Sequence, residues 1–367
     1  MAKNTRERIV FIDLMRAFAV IMMVQGHTID AFLADEYRTY DSFIYRFWVT
    51  LRGFTAPIFM VSSGVAFAYL FRSVDLPFNQ NPRVTKGLMR FVILLLTAYL
   101  LRFPTYRMVD FSYVSNEQWH IFFTVDALHL IGIGILLILF FSYLSEKMKI
   151  NEYWIYSLAA AFFFMVWNVT EYINWANYLP IPFAAYFYSG TGSLFPVFPW
   201  AGYVLAGALL GSFLAKNPGV YKTKKFNKEL TSVGLTFLSA AAIISFIQSY
   251  FIGNKYFFTD NSFVILLRLG VVALLISSLS IFATSVKKIP LLVQEVGRYT
   301  LIVYAVHIII LYGSAWIPGF AMFWPKSLNL AWSILAAAAM IALMGYMVHL
   351  IHKYKPALMK NLAASKV

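Results

Sequence analysis

Residues 8–33 read RIVFIDLMRAFAVIMMVQGHTIDAFL, which has the length and apolar content of a membrane-spanning helix. Three charged residues, Asp13, Arg16 and Asp30, and the titratable His27 interrupt the apolar side chains of this stretch. Charge at membrane depth is costly on a helix that faces lipid, so these four side chains should face a bundle interior or a water-filled cavity. The stretch therefore predicts the central first helix of a polytopic membrane protein.

The composition of the whole chain agrees with a membrane protein. Of 367 residues, 60% are hydrophobic and 13% are charged, and the mean hydropathy is +0.70. Soluble domains carry about 25% charged residues, so a soluble globular enzyme and a disordered chain are both excluded. The net charge of +14 belongs in cytoplasmic loops of a membrane protein, and we expect no nucleic-acid partner. The sequence contains no Cys, which excludes disulfides and a thiol nucleophile.

Apolar runs between clusters of charge predict an all-α polytopic bundle of ten transmembrane helices, in one domain that spans residues 1–367. The two long connections between these helices are rich in aromatic residues and are predicted to contain short interfacial helices. These connections are residues 34–51 and 105–121. The ten predicted spans are residues 9–33, 52–72, 87–104, 122–143, 154–170, 196–215, 230–252, 262–286, 298–316 and 328–352.

The distribution of Lys and Arg predicts that both termini are cytoplasmic. With this orientation, 21 of these residues fall in inner loops or at the inner ends of spans, and 7 fall in outer loops or at the outer ends. Such an excess of positive charge is typical of the cytoplasmic side. The remaining two, Arg16 and Arg268, lie inside spans. We therefore expect a multi-pass protein of the inner (cytoplasmic) membrane, surrounded by the lipid bilayer.

Two pairs of His and Asp are predicted in the outer part of the bundle. His27 precedes Asp30 by three residues on the first helix, and Asp126 precedes His129 by three residues on the fourth. Residues at this spacing share a helix face, so each carboxylate can orient its imidazole and leave the other ring nitrogen as a base. The alternative for each pair is a structural polar contact between helices. All four are candidate catalytic residues, although for Asp126 and His129 we favour a lining role in the same cavity.

Three further residues are predicted at the same outer level. Arg268 lies in the outer third of the eighth span, and Arg102 lies at the outer end of the third. Two prolines shortly before Trp200 predict a broken or re-entrant helix that faces a cavity. We interpret these three as candidates for substrate binding, while the simplest structural role for Arg268 is to neutralise Asp126 or Asp30.

A second group of candidates is predicted toward the cytoplasmic side. Arg16 precedes the histidine of its helix by eleven residues, about 16 Å at 1.5 Å per residue, and Asp13 is its expected partner. This pair is either structural or holds a phosphate or amide of a donor that enters from the cytoplasm. Arg90 and Arg298 are further candidates for phosphates. His307 lies near mid-membrane on the ninth span. A lone His on an apolar face is more often a packing residue, and we include His307 as a fifth candidate for donor binding.

The first span resembles the opening of a superfamily of transmembrane acyltransferases. This superfamily includes heparan-α-glucosaminide N-acetyltransferase with its bacterial relatives, and the O-acyltransferases that modify bacterial surface glycans. Its pattern is Asp, two residues, Arg, ten residues and His, which Asp13, Arg16 and His27 fit, whereas Ala17 departs from a frequent Gly. Similar pieces follow in order along most of the chain, in residues 55–64, 125–132, 198–211 and 297–307.

The resemblance implies an acyltransferase that uses acyl-CoA. A cytoplasmic acyl-CoA, acetyl-CoA by analogy, would donate its acyl group across the membrane to a hydroxyl or amine of an extracytoplasmic sugar or glycan. His27 would act as a general base or as a transient acyl carrier. The residues alone also allow a proton-coupled transporter with the same buried His, Asp and Arg groups, or a non-catalytic scaffold. No metal ion is expected, and a homodimer remains open.

Overall fold

A computed structural model describes residues 9–252 and 262–364 of the chain. Within these residues the chain forms fourteen α-helices, joined by loops and short 3-10 turns. The helices are α1 (Val10–Phe32), α2 (Phe43–Arg52), α3 (Thr55–Arg72), α4 (Pro82–Leu101), α5 (Asn116–Phe123), α6 (Ala127–Met148), α7 (Glu152–Thr170), α8 (Ile181–Ala184), α9 (Val197–Lys216), α10 (Lys224–Ile252), α11 (Ser262–Ser285), α12 (Leu291–Arg298), α13 (Thr300–Tyr312) and α14 (Leu330–Ala364).

The all-α polytopic fold is confirmed, with one correction to the predicted spans. Nine helical segments in the described part of the chain are long and apolar enough to cross a membrane, and α2 with α3 counts as one of them. α12 and α13 pass this test only together, and they meet at an angle of 78°. The ninth predicted span, residues 298–316, therefore corresponds to α13 alone, and counting the bent pair of α12 and α13 as one span gives up to ten in the described part of the chain. The bend falls at Tyr299, whose backbone angles of φ −94° and ψ 24° leave the α-helical range.

Local sequence explains where several helices begin. The short helices predicted in the two long connections are present as α2 and α5. α6 begins later than the predicted residue 122, because Asp126 caps it. The Asp126 carboxylate accepts hydrogen bonds from the backbone N–H groups of Leu128 and His129, which would otherwise lack partners in the first helical turn.

The helices divide into two compact units. The first contains residues 56–285, and the second combines residues 9–55 with residues 286–364. In the second unit, α1 contacts α12, α13 and α14, which agrees with the prediction of a central first helix. The assignment of the chain to a single domain stays a prediction.

In the first unit, α3 and α9 approach each other so closely that only glycine fits between their backbones. A Cβ atom at Gly64 would overlap the carbonyl oxygen of Val204, and a Cβ atom at Gly207 would overlap that of Val61. Gly207 is followed four residues later by Gly211, which lies against the backbone of α3 in the same way. Small residues at this spacing are the usual means by which membrane helices pack closely.

We expect Gly207→Leu to disrupt this contact. The new side chain has no space beside the Val61 carbonyl, so the free energy of unfolding should fall by about 3 kcal/mol, at the upper end of overpacking costs. The measurement is the melting temperature of the purified protein in detergent. Gly345→Leu on α14 is the matched control, because the nearest atom that a Cβ there would meet belongs to a Leu292 methyl group 4.0 Å away. Equal melting temperatures for the two variants would contradict the prediction.

Candidate functional site

His27 lies between two aromatic rings of α13 in the second unit. Its ring centroid is 5.4 Å from that of His307 and 6.0 Å from that of Tyr312, and both contacts are edge-to-face. The Tyr312 hydroxyl also donates a hydrogen bond to the backbone carbonyl of His27 at 3.1 Å. His27 is half-buried, so its imidazole is held in place and still accessible.

His307 is fully buried and has a defined tautomer. Its Nδ1 lies 2.8 Å from the carbonyl oxygen of Val303, and a carbonyl oxygen can only accept, so Nδ1 carries the proton and Nε2 the lone pair. This Nε2 is buried without a hydrogen-bond partner among the described residues. A buried acceptor with no partner is costly, which favours a functional role for His307 over simple packing.

Two arginines hold the carboxylate of Asp30. The guanidinium of Arg52, the last residue of α2, forms an ion pair with Oδ2. Nη1 of Arg38 lies 3.7 Å from Oδ1, and the same guanidinium donates to the Asp30 backbone carbonyl. Asp30 therefore ties the end of α1 to α2 and the intervening loop. That it also orients His27 stays a prediction.

Two of the predicted donor-binding residues lie where α1 meets α12 and the start of α13. Nη2 of Arg16 donates a hydrogen bond to the Thr300 hydroxyl at 2.7 Å. Asp13 is buried, and its backbone carbonyl lies so close to Gly297 that a Cβ atom there would overlap it. The bend between α12 and α13 therefore lies directly against the N-terminal part of α1, which carries Asp13 and Arg16.

The remaining predicted donor-binding arginines differ in their surroundings. Arg298 at the end of α12 is exposed and forms an ion pair with the buried Glu295. The second carboxylate oxygen of Glu295 lies 3.5 Å from Nδ1 of His352. Arg90 belongs to α4 in the first unit, and its side chain is exposed on that helix.

Asp126 and His129 form a polar cluster in the first unit, at the start of α6. Oδ1 of Asp126 lies 3.0 Å from Nδ1 of His129, and Oδ2 lies 3.6 Å from Nε of Arg102. The guanidinium of Arg102 also donates to the Thr124 hydroxyl. Burial acts to raise the pKa of Asp126, but the hydrogen bond and charge of His129 and the charge of Arg102 outweigh it, so the pKa is lowered.

The imidazole of His129 is enclosed by two tyrosines. Its centroid is 4.5 Å from that of Tyr99 and 6.3 Å from that of Tyr186, and the two phenol oxygens lie 3.1 Å apart. Burial and the hydrogen bond with Tyr99 raise the pKa of Tyr186, so this phenol stays neutral. Nε2 of His129 is buried with no hydrogen-bond partner in the part of the chain that the structure describes.

A cavity in the first unit brings together two of the predicted substrate-binding residues. It lies where α7 ends and α9 and α11 begin, and Arg268, Trp200, Trp167 and Glu171 line it. The guanidinium carbon of Arg268 is 5.1 Å from the centroid of Trp200, within range of a cation–π contact. α9 is interrupted at Phe198, whose φ and ψ are not helical, in agreement with the predicted broken helix.

Four residues that the sequence does not single out contact the candidates. Thr300 and Tyr312 reach α1 from α13, and Tyr186 reaches His129 from the loop before α9. Glu171 reaches the cavity from the end of α7. Tertiary packing brings all four into place. Only Glu171 carries a local signal, because it is an acidic residue directly after an apolar run.

These observations define the class of protein to which the chain belongs. The chain is a multi-pass integral membrane protein whose helical units contain buried His and Asp side chains and partly buried Arg side chains, and such groups within membrane helices mark functional sites. Residues 8–250 match the family model described as "Heparan-alpha-glucosaminide N-acetyltransferase, catalytic". The match covers more than half of the chain, which therefore belongs to this family of membrane acetyltransferases that act on glycans. No curated protein and no solved structure matches the chain.

Proposed function

We propose that the protein transfers an acetyl group from cytoplasmic acetyl-CoA to an amine or hydroxyl of a sugar on the outer side of the inner membrane, with both termini in the cytoplasm. His27 is the catalytic residue. The observation that carries this proposal is the half-buried imidazole of His27 beside His307 and Tyr312, in a chain of an acetyltransferase family.

An imidazole suits this reaction because it accepts and releases a proton near neutral pH. As a general base, His27 takes the proton of the acceptor amine or hydroxyl while that group attacks the thioester carbonyl. The C–S bond then breaks, and CoA leaves as a thiol with the proton from the imidazolium. As an acyl carrier, the imidazole attacks the thioester first, the C–S bond breaks and CoA leaves as a thiolate. The acceptor then takes the acetyl group from the imidazole and releases its proton, which balances the CoA thiol. Both routes yield CoA and one acetylated sugar.

The inner part of α1 is the proposed binding region for the donor. Guanidinium groups bind phosphates through paired N–H donors, and Arg16 is fixed by Thr300 on the side that we assign to the cytoplasm. Asp13, Arg90 and Arg298 are further proposed donor residues. His307 would meet the donor at its acetyl end, next to His27.

Replacement of Arg16 tests the donor region. We expect Arg16→Ala to raise KM for acetyl-CoA by about tenfold or more, because a charge-assisted contact with phosphate contributes about 1.5–3 kcal/mol, while KM for the sugar stays unchanged. The measurement is steady-state kinetics with each substrate varied in turn. Arg83→Ala removes the same charge from a predicted inner loop and should leave both KM values unchanged. A rise in KM for the sugar alone would assign Arg16 to the acceptor instead.

The acceptor is proposed to bind in the first unit. Arg268, Trp200 and Arg102 supply an aromatic surface and cationic donors, which are groups that contact sugar rings and hydroxyls. Asp126 and His129 are proposed to line the same acceptor region, with a direct part in proton transfer as the less favoured role.

The product itself is the decisive test of the function. Purified protein is incubated with acetyl-CoA and a panel of amino sugars, neutral sugars and oligosaccharides, and the mixture is analysed by mass spectrometry. We expect one acceptor class to gain an acetyl group as CoA is released. Uptake of sugar into liposomes driven by a pH gradient, without any acetylated product, would favour the transporter instead.

A further inference from the structure

The cavity at the end of α7 has an apolar wall of fixed geometry. Trp167 is 5% exposed and forms part of this wall. Trp200 is held edge-on against Phe195, with centroids 4.9 Å apart at 80°, and it also contacts Tyr203. Pro199, a further wall residue, has its φ angle fixed by its own ring. This side of the cavity is therefore rigid before any ligand binds.

Two charged groups of opposite sign complete the cavity, and each is positioned by a neighbour. The Glu171 carboxylate accepts hydrogen bonds from the backbone N–H and the hydroxyl of Ser189. The guanidinium of Arg268 lies over the ring of Trp200. The cavity thus combines a fixed acceptor, a fixed donor and an apolar wall, which is the usual composition of a small-molecule site.

We propose that this cavity is a saccharide subsite that holds a non-reacting amino sugar of the acceptor glycan. This inference rests on the proposed function, and it names the part of the acceptor that the cavity recognises. The C–H face of a pyranose ring fits against proline and aromatic side chains, while its hydroxyls can donate to Glu171 and accept from Arg268. The ammonium group of an amino sugar would gain a further contact with Glu171.

A lipid headgroup fits these charges less well. A phosphate would be attracted by Arg268 but repelled by the carboxylate of Glu171, which lines the same cavity. Hydroxyl groups act as both donors and acceptors, so a sugar satisfies both side chains at once. Because the wall is rigid and both charged groups are already positioned, binding requires little ordering of the protein.

Acceptor length tests the proposal by kinetics. For the wild-type protein, KM for a glucosamine tetrasaccharide should be about tenfold lower than KM for glucosamine, because the tetrasaccharide occupies one additional favourable subsite. Glu171→Gln should remove this preference without changing kcat for glucosamine. Trp154→Ala is the matched control, because Trp154 lies at the opposite end of α7 with 66% of its surface exposed. A preference that survives in Glu171→Gln would overturn the proposal.

Binding without the acyl donor separates this inference from the proposed function. The tetrasaccharide should quench tryptophan fluorescence of the wild-type protein, and Glu171→Gln should weaken this binding about tenfold. Such binding supports the subsite even if no acetylated product forms. Absence of that product would reject only the proposed function. Acetylated glucosamine without any binding preference for the tetrasaccharide would reject only the subsite. Quenching by phosphatidylglycerol vesicles and not by the tetrasaccharide would also overturn it.

Discussion

Replacement of His27 by alanine should reduce acetyl transfer by at least about a hundredfold, since a positioned general base contributes about 10²–10⁴ to a rate. If the imidazole carries the acetyl group, the loss should be complete. The α1 backbone should stay in place, because His27 is held there by a hydrogen bond from Tyr312 to its carbonyl oxygen, which alanine retains. The measurement is release of CoA from acetyl-CoA in the presence of the acceptor.

Two comparisons make this result specific. His349→Ala removes an exposed histidine of α14 and should retain wild-type activity. The melting temperature of His27→Ala should stay near that of the wild type, so that lost activity is not lost folding. Wild-type rates in His27→Ala would remove His27 from the mechanism. Mass spectrometry of the protein after a single turnover without acceptor then separates the two routes, because only the carrier route leaves an acetyl group on His27.

Replacement of Asp126 by alanine should cause the largest loss of stability among the site residues. It removes the cap of α6 and leaves the Arg102 guanidinium without this carboxylate. Because the Arg102 side chain is 25% exposed, loss of this charge-assisted contact costs about 1.5–3 kcal/mol, and loss of a cap adds about 1 kcal/mol. The melting temperature of the protein in detergent should fall accordingly.

Asparagine at the same position separates the two contributions. Asp126→Asn keeps a side-chain oxygen that can cap α6 but removes the charge, so its melting temperature should lie between those of the wild type and Asp126→Ala. The lowered pKa of Asp126 means that the carboxylate is charged across the neutral range, and this stabilisation should be lost only as the pH falls through that low pKa. An Asp126→Ala variant with normal stability and no activity would show instead that this carboxylate acts directly in the chemistry.

Much of the fold can be predicted because apolar runs of membrane length are a strong local signal. The bend between α12 and α13 cannot be predicted in this way, since the polar residues Gln294, Glu295 and Arg298 of α12 mark a change in composition but not an angle between two helices. The close approach of Gly297 to the backbone of Asp13 is a contact between distant parts of the chain.

The contacts of the candidate site also fall into two groups, those that the sequence predicts and those that depend on tertiary packing. The contact between Asp126 and His129 is predictable because both residues belong to one helix start, where spacing determines the neighbours. The same spacing predicts that Asp30 orients His27. The ion pairs that Asp30 forms with Arg52 and Arg38 depend instead on how α2 and its preceding loop fold back on α1.

The neighbours of His27 are distant from it along the chain and have no local signal. The sequence predicts His307 as a donor-binding residue at mid-membrane, and its position beside His27 follows from the packing of α13 on α1. His307 and Tyr312 lie outside the residues that match the family model. Their contacts with His27 therefore come from the structure of the second unit alone.

The most direct test places donor and acceptor on opposite sides of a membrane. Proteoliposomes are loaded with acetyl-CoA, which does not cross the bilayer, and the acceptor sugar is supplied only outside. We expect acetylated sugar in the external medium and CoA inside, with both reduced at least about a hundredfold in His27→Ala. Product that forms only when acetyl-CoA and the sugar share one compartment would contradict transfer across the membrane through His27.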